Sequence, residues 1–444
     1  TLQSKTENEI HWIQTENDTP TLQRIKARKS GVTYSLKSSD GLYVLTNDEH
    51  VGSKIEYASF EAPDKFTTVA KVGKKDHISE FVLVQNRTVA LSYQKSLPKL
   101  IHIQKGDKKW KELKPKAIGL DLGAKGNGIG QYTLSNSSQK PNCLVFSFSS
   151  ASKPFTTYSY DFATSAISET WKLKVKNPNY YRFTRTKRLW AKSHDGVKIP
   201  ITLIRDGAAP ARNGLILKVY GAYGENTTPA FDAKEAVLLQ QGYTIAHAHV
   251  RGESIMGTGW YKAGRVLNKQ NSISDYIACA EYLIKKGYAS PKNLVAYGNS
   301  AGGLVVGQAI NLQPELFKTA ILDHAYLDVV TTMMNDSLPL TVDEYKEWGN
   351  PADKDVFDYM MGYSPYQNIK PQAYPNVLLI ASYQDYQTPV WQIAKYVARL
   401  RENNLGDGRI LLLTDMNSGH AGSRIGTEWI KLFARIWGFV GMRK

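Results

Sequence analysis

Near residue 175 the hydrophobic rhythm of the chain changes, and that change limits the fold more than any other feature. Up to about Thr170, apolar and polar residues alternate in short runs such as "GLYVLTN", "EFVLVQNRTVALSYQ", "NCLVFSFSS" and "FTTYSYDF". Alternation of β-branched and aromatic residues, broken by Gly-, Asn-, Asp-, Ser- and Lys-rich turns, predicts half-buried antiparallel strands. Four segments read as one strand repeated: Thr19–Ala27, Gly52–Phe60, Leu97–Lys105 and Lys153–Asp161. Their spacing suits four-stranded propeller blades, with an irregular β-sandwich as the alternative. Residues 1–174 are therefore expected to form an incomplete β-propeller of roughly three to four blades.

Beyond Val175, short apolar strands alternate with amphipathic helices. "GLILKVY", "YTIAHAHV", "NLVAYG", "TAILDHA", "NVLLIAS" and "RILLLTD" read as buried parallel strands. In "SISDYIACAEYLIKKG", Ile273, Tyr276, Ile277, Ala280, Leu283 and Ile284 share one helical face, and Gly287 stops the helix. "VWQIAKYVARLRENN" repeats the pattern through Ile393, Val397 and Leu400, and "TEWIKLFARIWGFV" is expected to cover the sheet. Residues 175–444 thus read as a doubly wound, mostly parallel α/β domain.

Bulk properties narrow the function classes. With 444 residues, 42% hydrophobic and 11% aromatic, the chain can build large cores in two or three domains, and nothing in it reads as disordered. No apolar run reaches the ~18 residues of a membrane span, so no membrane partner is expected. Cys143 and Cys279 are too few for a disulfide framework or a structural zinc site. They fit a reducing compartment, and the cytoplasm is the expected location, with the periplasm as the alternative. The first residues lack a signal-peptide profile and an initiator methionine, so the chain reads as processed or truncated. The net charge of +16 is scattered, densest in "GDKKWKELKPK" and without a recognition module around it, so a solvated basic face is expected rather than nucleic-acid binding.

In "NLVAYGNSAGGLVVGQAINL" a strand, a sharp turn and a helix succeed one another around Ser300. A nucleophile on such a turn leaves no room for bulky neighbours, which accounts for Gly298 and Gly302 two residues to either side. The turn also aims the Ala301 N–H at a developing oxyanion. Serine needs a base held by a third group, and an α/β-hydrolase supplies them in the order Ser, Asp, His after successive strands. Asp385 follows "NVLLIAS", and His420 follows "RILLLTD" in a small-residue loop. His324 is the rival base, but it comes early in the chain and close to the nucleophile strand. His102, His247 and His249 lie within strand runs and read as structural. H-E-x-x-H and G-x-x-x-x-G-K-[ST] motifs are absent, so neither a metal nor a cofactor is expected.

These motifs, together with "LKVYGAYG", "HVRGESIMGTGWY", "DVVTTMMNDSLPLT", "EYKEWGNP" and "YSPYQNI", resemble the prolyl oligopeptidase family of serine peptidases, and the oligopeptidase B group in particular. The likeness covers nearly all of Asp40 to Lys444. It implies a C-terminal α/β-hydrolase paired with a seven-bladed propeller that restricts access to short peptides. It also implies a Ser300–Asp385–His420 triad, a Tyr220 hydroxyl beside the Ala301 amide in the oxyanion hole, and Tyr223 lining the primary specificity pocket. Glu344 matches one acidic residue that receives a basic side chain, or else is a solvated helix residue. Departures weaken a basic preference: Lys346 reverses the next charge, Thr228 and Ala230 replace two aspartates, and Ile255 replaces a glutamate. The chain starts near the family's fourth blade, so the ring is completed by a missing N-terminal portion or by a partner. The expected function is serine oligopeptidase. A carboxylesterase or thioesterase and a catalytically silent binding protein are the alternatives.

Overall fold

The computed structural model describes residues 2–3, 7–14, 21–29, 32–48, 52–73, 76–113, 129–136, 140–177, 181, 183–208, 213–422 and 427–441. The end of the basic run, residues 114–116, lies outside them. The chain divides into two compact units. One holds Thr1–Arg182, Thr228–Asp232 and Ser254–Trp260, and the other holds Phe183–Thr227, Ala233–Glu253 and Tyr261–Lys444.

The first unit is a propeller segment of antiparallel sheets joined strand to neighbouring strand. A three-stranded sheet (Leu2–Gln3, Asn8–Gln14, Thr21–Lys26) precedes three four-stranded ones. These comprise Val32–Ser38, Leu42–Asp48, Gly52–Ala58 and Thr67–Lys71; Asp76–Val84, Arg87–Gln94, Leu97–Gln104 and Lys111–Glu112; and Gly130–Asn136, Cys143–Ser150, Lys153–Asp161 and Ile167–Lys172. Each of the four repeated segments supplies the third strand of its sheet. The alternation divides side chains between two cores, as strand geometry requires. Leu42 and Val44 pack with Ile10 and Ile25. Tyr43 and Leu45, on the other face, pack with Ile78, Phe81 and Ile101. A third core joins Val89, Leu91 and Leu100 to Leu144, Phe146 and Tyr158, and Ile255 is buried in it.

The second unit is built on an eight-stranded sheet. In spatial order its strands are Thr184–Lys192, Lys198–Asp206, Tyr243–Ala248, Gly214–Val219, Leu294–Asn299, Thr319–Asp323, Asn376–Ser382 and Ile410–Asp415. The first two strands run antiparallel, and the six strands expected from sequence all pair in parallel. Helix Lys269–Lys285 buries Ile273, Tyr276, Ile277, Ala280 and Leu283, with Ile284 at the margin. Gly287, at φ 72°, follows it, in a left-handed conformation that glycine adopts without strain. Helix Val390–Glu402 buries Ile393, Tyr396, Val397 and Leu400. In the last helix, Glu428–Gly441, Trp437 meets Tyr243 of the sheet with ring centroids 6.2 Å apart.

Candidate active site

Four parallel strands bring side chains to their carboxyl ends, the edge at which open α/β sheets present their ligand sites. Tyr220 follows strand Gly214–Val219, Ser300 follows Leu294–Asn299, and Asp385 and His420 lie in the loops after Asn376–Ser382 and Ile410–Asp415. Ser300 is the N-cap of helix Ala301–Leu312 and has φ 53° and ψ −121°. Such a conformation costs a residue with a β-carbon about 1–3 kcal/mol and persists only where its surroundings impose it. The Ser300 N–H donates to the Asp323 carbonyl at 2.9 Å, and the Ser300 carbonyl accepts from Tyr326 N–H at 3.0 Å. Close approach explains the flanking glycines. A β-carbon on Gly298 would lie 2.2 Å from the Gly302 carbonyl oxygen, and one on Gly302 would lie 2.2 Å from the Val219 carbonyl oxygen.

His420 Nε2 lies 3.1 Å from Ser300 Oγ, and its Nδ1 lies 2.8 Å from Asp385 Oδ2. The Asp385 carboxylate is buried. Its Oδ1 accepts from the N–H groups of Gln387 and Thr388, both at 2.9 Å, and Oδ2 accepts from the Thr388 hydroxyl at 2.7 Å. Burial alone would raise its pKa, but hydrogen bonds from His420 and Thr388 outweigh it and hold the carboxyl below its ordinary range. An ionised acceptor at Nδ1 fixes the imidazole tautomer and leaves Nε2 to accept from Ser300. Tyr220 hydrogen-bonds the Ser300 side chain, and burial pushes its phenol up to about 12, so it remains a donor. Ala301 begins its helix, and its N–H is one of the four that find no acceptor within a helix.

His324 is occupied elsewhere, with Nδ1 2.7 Å from Asp323 Oδ1 and Nε2 2.7 Å from Ser382 Oγ. Helix Thr341–Trp348 turns Glu344 and Glu347 inward. Glu344 is buried and hydrogen-bonded to the Tyr223 side chain. Tyr223 lies between neighbours, its ring 6.3 Å from that of Tyr220 and 5.8 Å edge-on to that of Trp348. Burial and the two glutamates push its phenol well above the ordinary value. Lys346 is exposed, because two residues along a helix is about 200° of rotation from Glu344. Thr228, Ala230 and Ile255 belong to the first unit.

Sequence reasoning missed Glu347 and Thr388. Glu347 accepts from the Tyr223 N–H at 3.0 Å and from the Tyr261 hydroxyl at 2.5 Å. Burial raises its pKa against the pull of the Lys269 ammonium, which burial in turn pushes down to about 8. The signal was its i,i+3 spacing from Glu344. For Thr388 the signal was a hydroxyl three residues after an aspartate, the spacing of a local side-chain turn. Among the described residues no group of His, Cys, Asp and Glu is arranged to hold a metal, and no helix is long and apolar enough to cross a membrane.

A left-handed serine on a strand-to-helix turn, with histidine and aspartate from later loops of a mostly parallel sheet, defines an α/β-hydrolase. Residues 229–442 match the model of the prolyl oligopeptidase family, and residues 1–172 match that of its N-terminal β-propeller domain. The chain belongs to the prolyl oligopeptidase family. It is 31% identical over 449 residues to protease 2 of Moraxella lacunata, covering 98% of this chain and 62% of that one. It is 40% identical over 286 residues to dipeptidyl aminopeptidase BI of Pseudoxanthomonas mexicana, covering 63% of this chain and 39% of the relative. The structure of oligopeptidase B from Trypanosoma brucei with covalently bound antipain, in its closed form, matches with a TM-score of 0.87 at 30% identity. That match covers all of this chain and 64% of the other. The chain thus spans less than two thirds of the length of these relatives.

Proposed function

We propose that the protein is a serine oligopeptidase that hydrolyses short peptides through an acyl-enzyme. The observation that carries this reading is His420, bonded on one nitrogen to buried Asp385 and on the other to Ser300. Ser300 Oγ attacks the scissile carbonyl carbon as its proton passes to His420 Nε2. The Ala301 N–H and the Tyr220 hydroxyl stabilise the resulting oxyanion. As the carbon–nitrogen bond breaks, His420 returns the proton to the leaving amine. Water, deprotonated by His420, then attacks the ester, and the second product leaves as Ser300 recovers its proton. Asp385 holds the tautomer and stabilises the imidazolium.

Family membership supports peptide substrates. Glu344, buried beside Tyr223, is assigned to the primary specificity pocket, where one carboxylate supports a modest preference for a basic side chain. The two family-model matches support a division of the chain into residues 1–174 and 175–444. Free Cys143 and Cys279 support a reducing compartment such as the cytoplasm.

Treatment with a fluorophosphonate probe tests the reading. Wild type is expected to label and Ser300→Ala is not, and absence of labelling in both would favour a silent binding protein. Turnover of matched ester and amide substrates separates a peptidase from an esterase. Profiling on a mixed peptide library is expected to show cleavage after several residue types, with the basic fraction reduced in Glu344→Gln.

A further inference from the structure

The strongest polar arrangement outside this mechanism lies next to the base. His324 follows strand Thr319–Asp323 with φ 48°, a conformation disfavoured for any residue with a β-carbon. Both of its ring nitrogens are bonded, Nδ1 to Asp323 Oδ1 and Nε2 to Ser382 Oγ, each at 2.7 Å. Ser382 Oγ continues to Ser418 Oγ at 2.8 Å, and Ser418 stands two residues before His420 in the same loop. The Ser418 carbonyl accepts from the Gln384 N–H at 3.1 Å, so the loop is also tied to the segment carrying Asp385.

Donor and acceptor capacities fix the first link of the chain. Asp323 Oδ2 accepts from the Tyr297 hydroxyl at 2.7 Å, and Oδ1 accepts from His324 Nδ1–H. Burial would raise the Asp323 pKa, but these hydrogen bonds keep the carboxyl below its ordinary range, so it is the fixed acceptor. From there the chain runs through hydrogen bonds between His324 Nε2 and Ser382 Oγ and between Ser382 Oγ and Ser418 Oγ. The His324 main chain reaches the other side of the triad. Its carbonyl oxygen lies 3.0 Å from Thr388 Oγ1, the hydroxyl that donates to Asp385 Oδ2 at 2.7 Å and stands 3.2 Å from His420 Nδ1. The His324 and His420 rings stand edge to face, 6.0 Å apart.

We propose that His324 is a positioning residue for His420, acting through the chain Asp323–His324–Ser382–Ser418 to hold the base loop so that Nε2 faces Ser300. The proposal rests on the triad reading above and assigns His324 no contact with substrate. A chain in series makes a prediction that ordinary packing does not, because cutting it twice does no more than cutting it once.

The test uses the full chain as wild type, Ser382→Ala, Ser418→Ala and the double variant. It measures kcat and KM on a peptide amide, together with the rate of fluorophosphonate labelling. Each single variant is expected to lower kcat and the labelling rate about tenfold, with KM within about twofold, and the double variant is expected to be no slower than Ser382→Ala. Unchanged kcat in Ser418→Ala, or factors that multiply in the double variant, would overturn the proposal. Ser418 is half-buried in a loop, so its variant decides the matter even where Ser382→Ala, at a fully buried position, fails to fold. A wild-type chain that takes no label overturns the triad reading and this proposal with it. Labelling indifferent to Ser382 and Ser418 overturns the proposal alone.

Discussion

His420 Nε2 and Ser300 Oγ stand 3.1 Å apart across a separation of 120 residues. Two groups that exchange a single proton act as a unit, so losing either should cost about as much as losing both. Ser300→Ala and His420→Ala are each expected to lower kcat by about 10⁶-fold, and the double variant should show no further loss. Active-site titration alongside steady-state kinetics checks this.

Tyr220 is half-buried beside Ser300 and keeps its proton at neutral pH. Tyr220→Phe removes the hydroxyl proposed as an oxyanion donor while leaving the ring. The expected loss is about 10²–10³-fold in kcat, with KM little changed, because the charge assigned to it on this reading exists only in the transition state.

A β-carbon on Gly302 would meet the Val219 carbonyl oxygen at 2.2 Å, and that oxygen belongs to a central strand. Main chain cannot yield as a flexible side chain does. Gly302→Ala should therefore destabilise the protein by about 3 kcal/mol, read as a fall in urea midpoint. Gly287→Ala, where open space surrounds the β-carbon but φ is 72°, should cost only about 1 kcal/mol.

Glu253 is fully buried, accepts from the Thr227 hydroxyl at 2.6 Å and lies 3.1 Å from His249 Nδ1. Burial pushes its pKa up from 4.5 to about 8. The folded state therefore binds this proton more tightly than the unfolded chain. The resulting stabilisation is complete below pH 4.5 and is lost as pH rises through about 8. Glu253→Gln imitates the neutral acid, so its melting temperature should fall less than that of wild type between pH 5 and 8 in thermal scans.

Much of this arrangement was legible in the sequence. Ser300, Asp385 and His420 each follow an apolar run, and parallel strands deliver such followers to one edge of a sheet. The third-strand repeats showed through because blade geometry imposes alternation on each of them. Strands Thr184–Lys192 and Lys198–Asp206 were less visible. "TRTKRLWAK" alternates in the manner of the first unit, yet it pairs into the second unit's sheet. The partnership of His324 with Ser382, 58 residues away, depends on which strands become neighbours, and no local pattern encodes that order. Glu347 was missed for a related reason. Its spacing places it on the face of Glu344, but whether that face turns inward depends on the rotation of the whole helix.

That rotation makes helix Thr341–Trp348 sensitive to insertions and deletions. A one-residue slip turns the faces of an α-helix by about 100°, enough to exchange the buried and exposed rows of this one. A one-residue deletion ahead of it would carry Glu344 and Glu347 to the exposed positions of Asp343 and Lys346, and a one-residue insertion would bring Lys346 to the buried position of Glu347, beside Tyr223. Such an insertion would exchange a carboxylate for an ammonium beside Tyr223 without altering any residue of the triad.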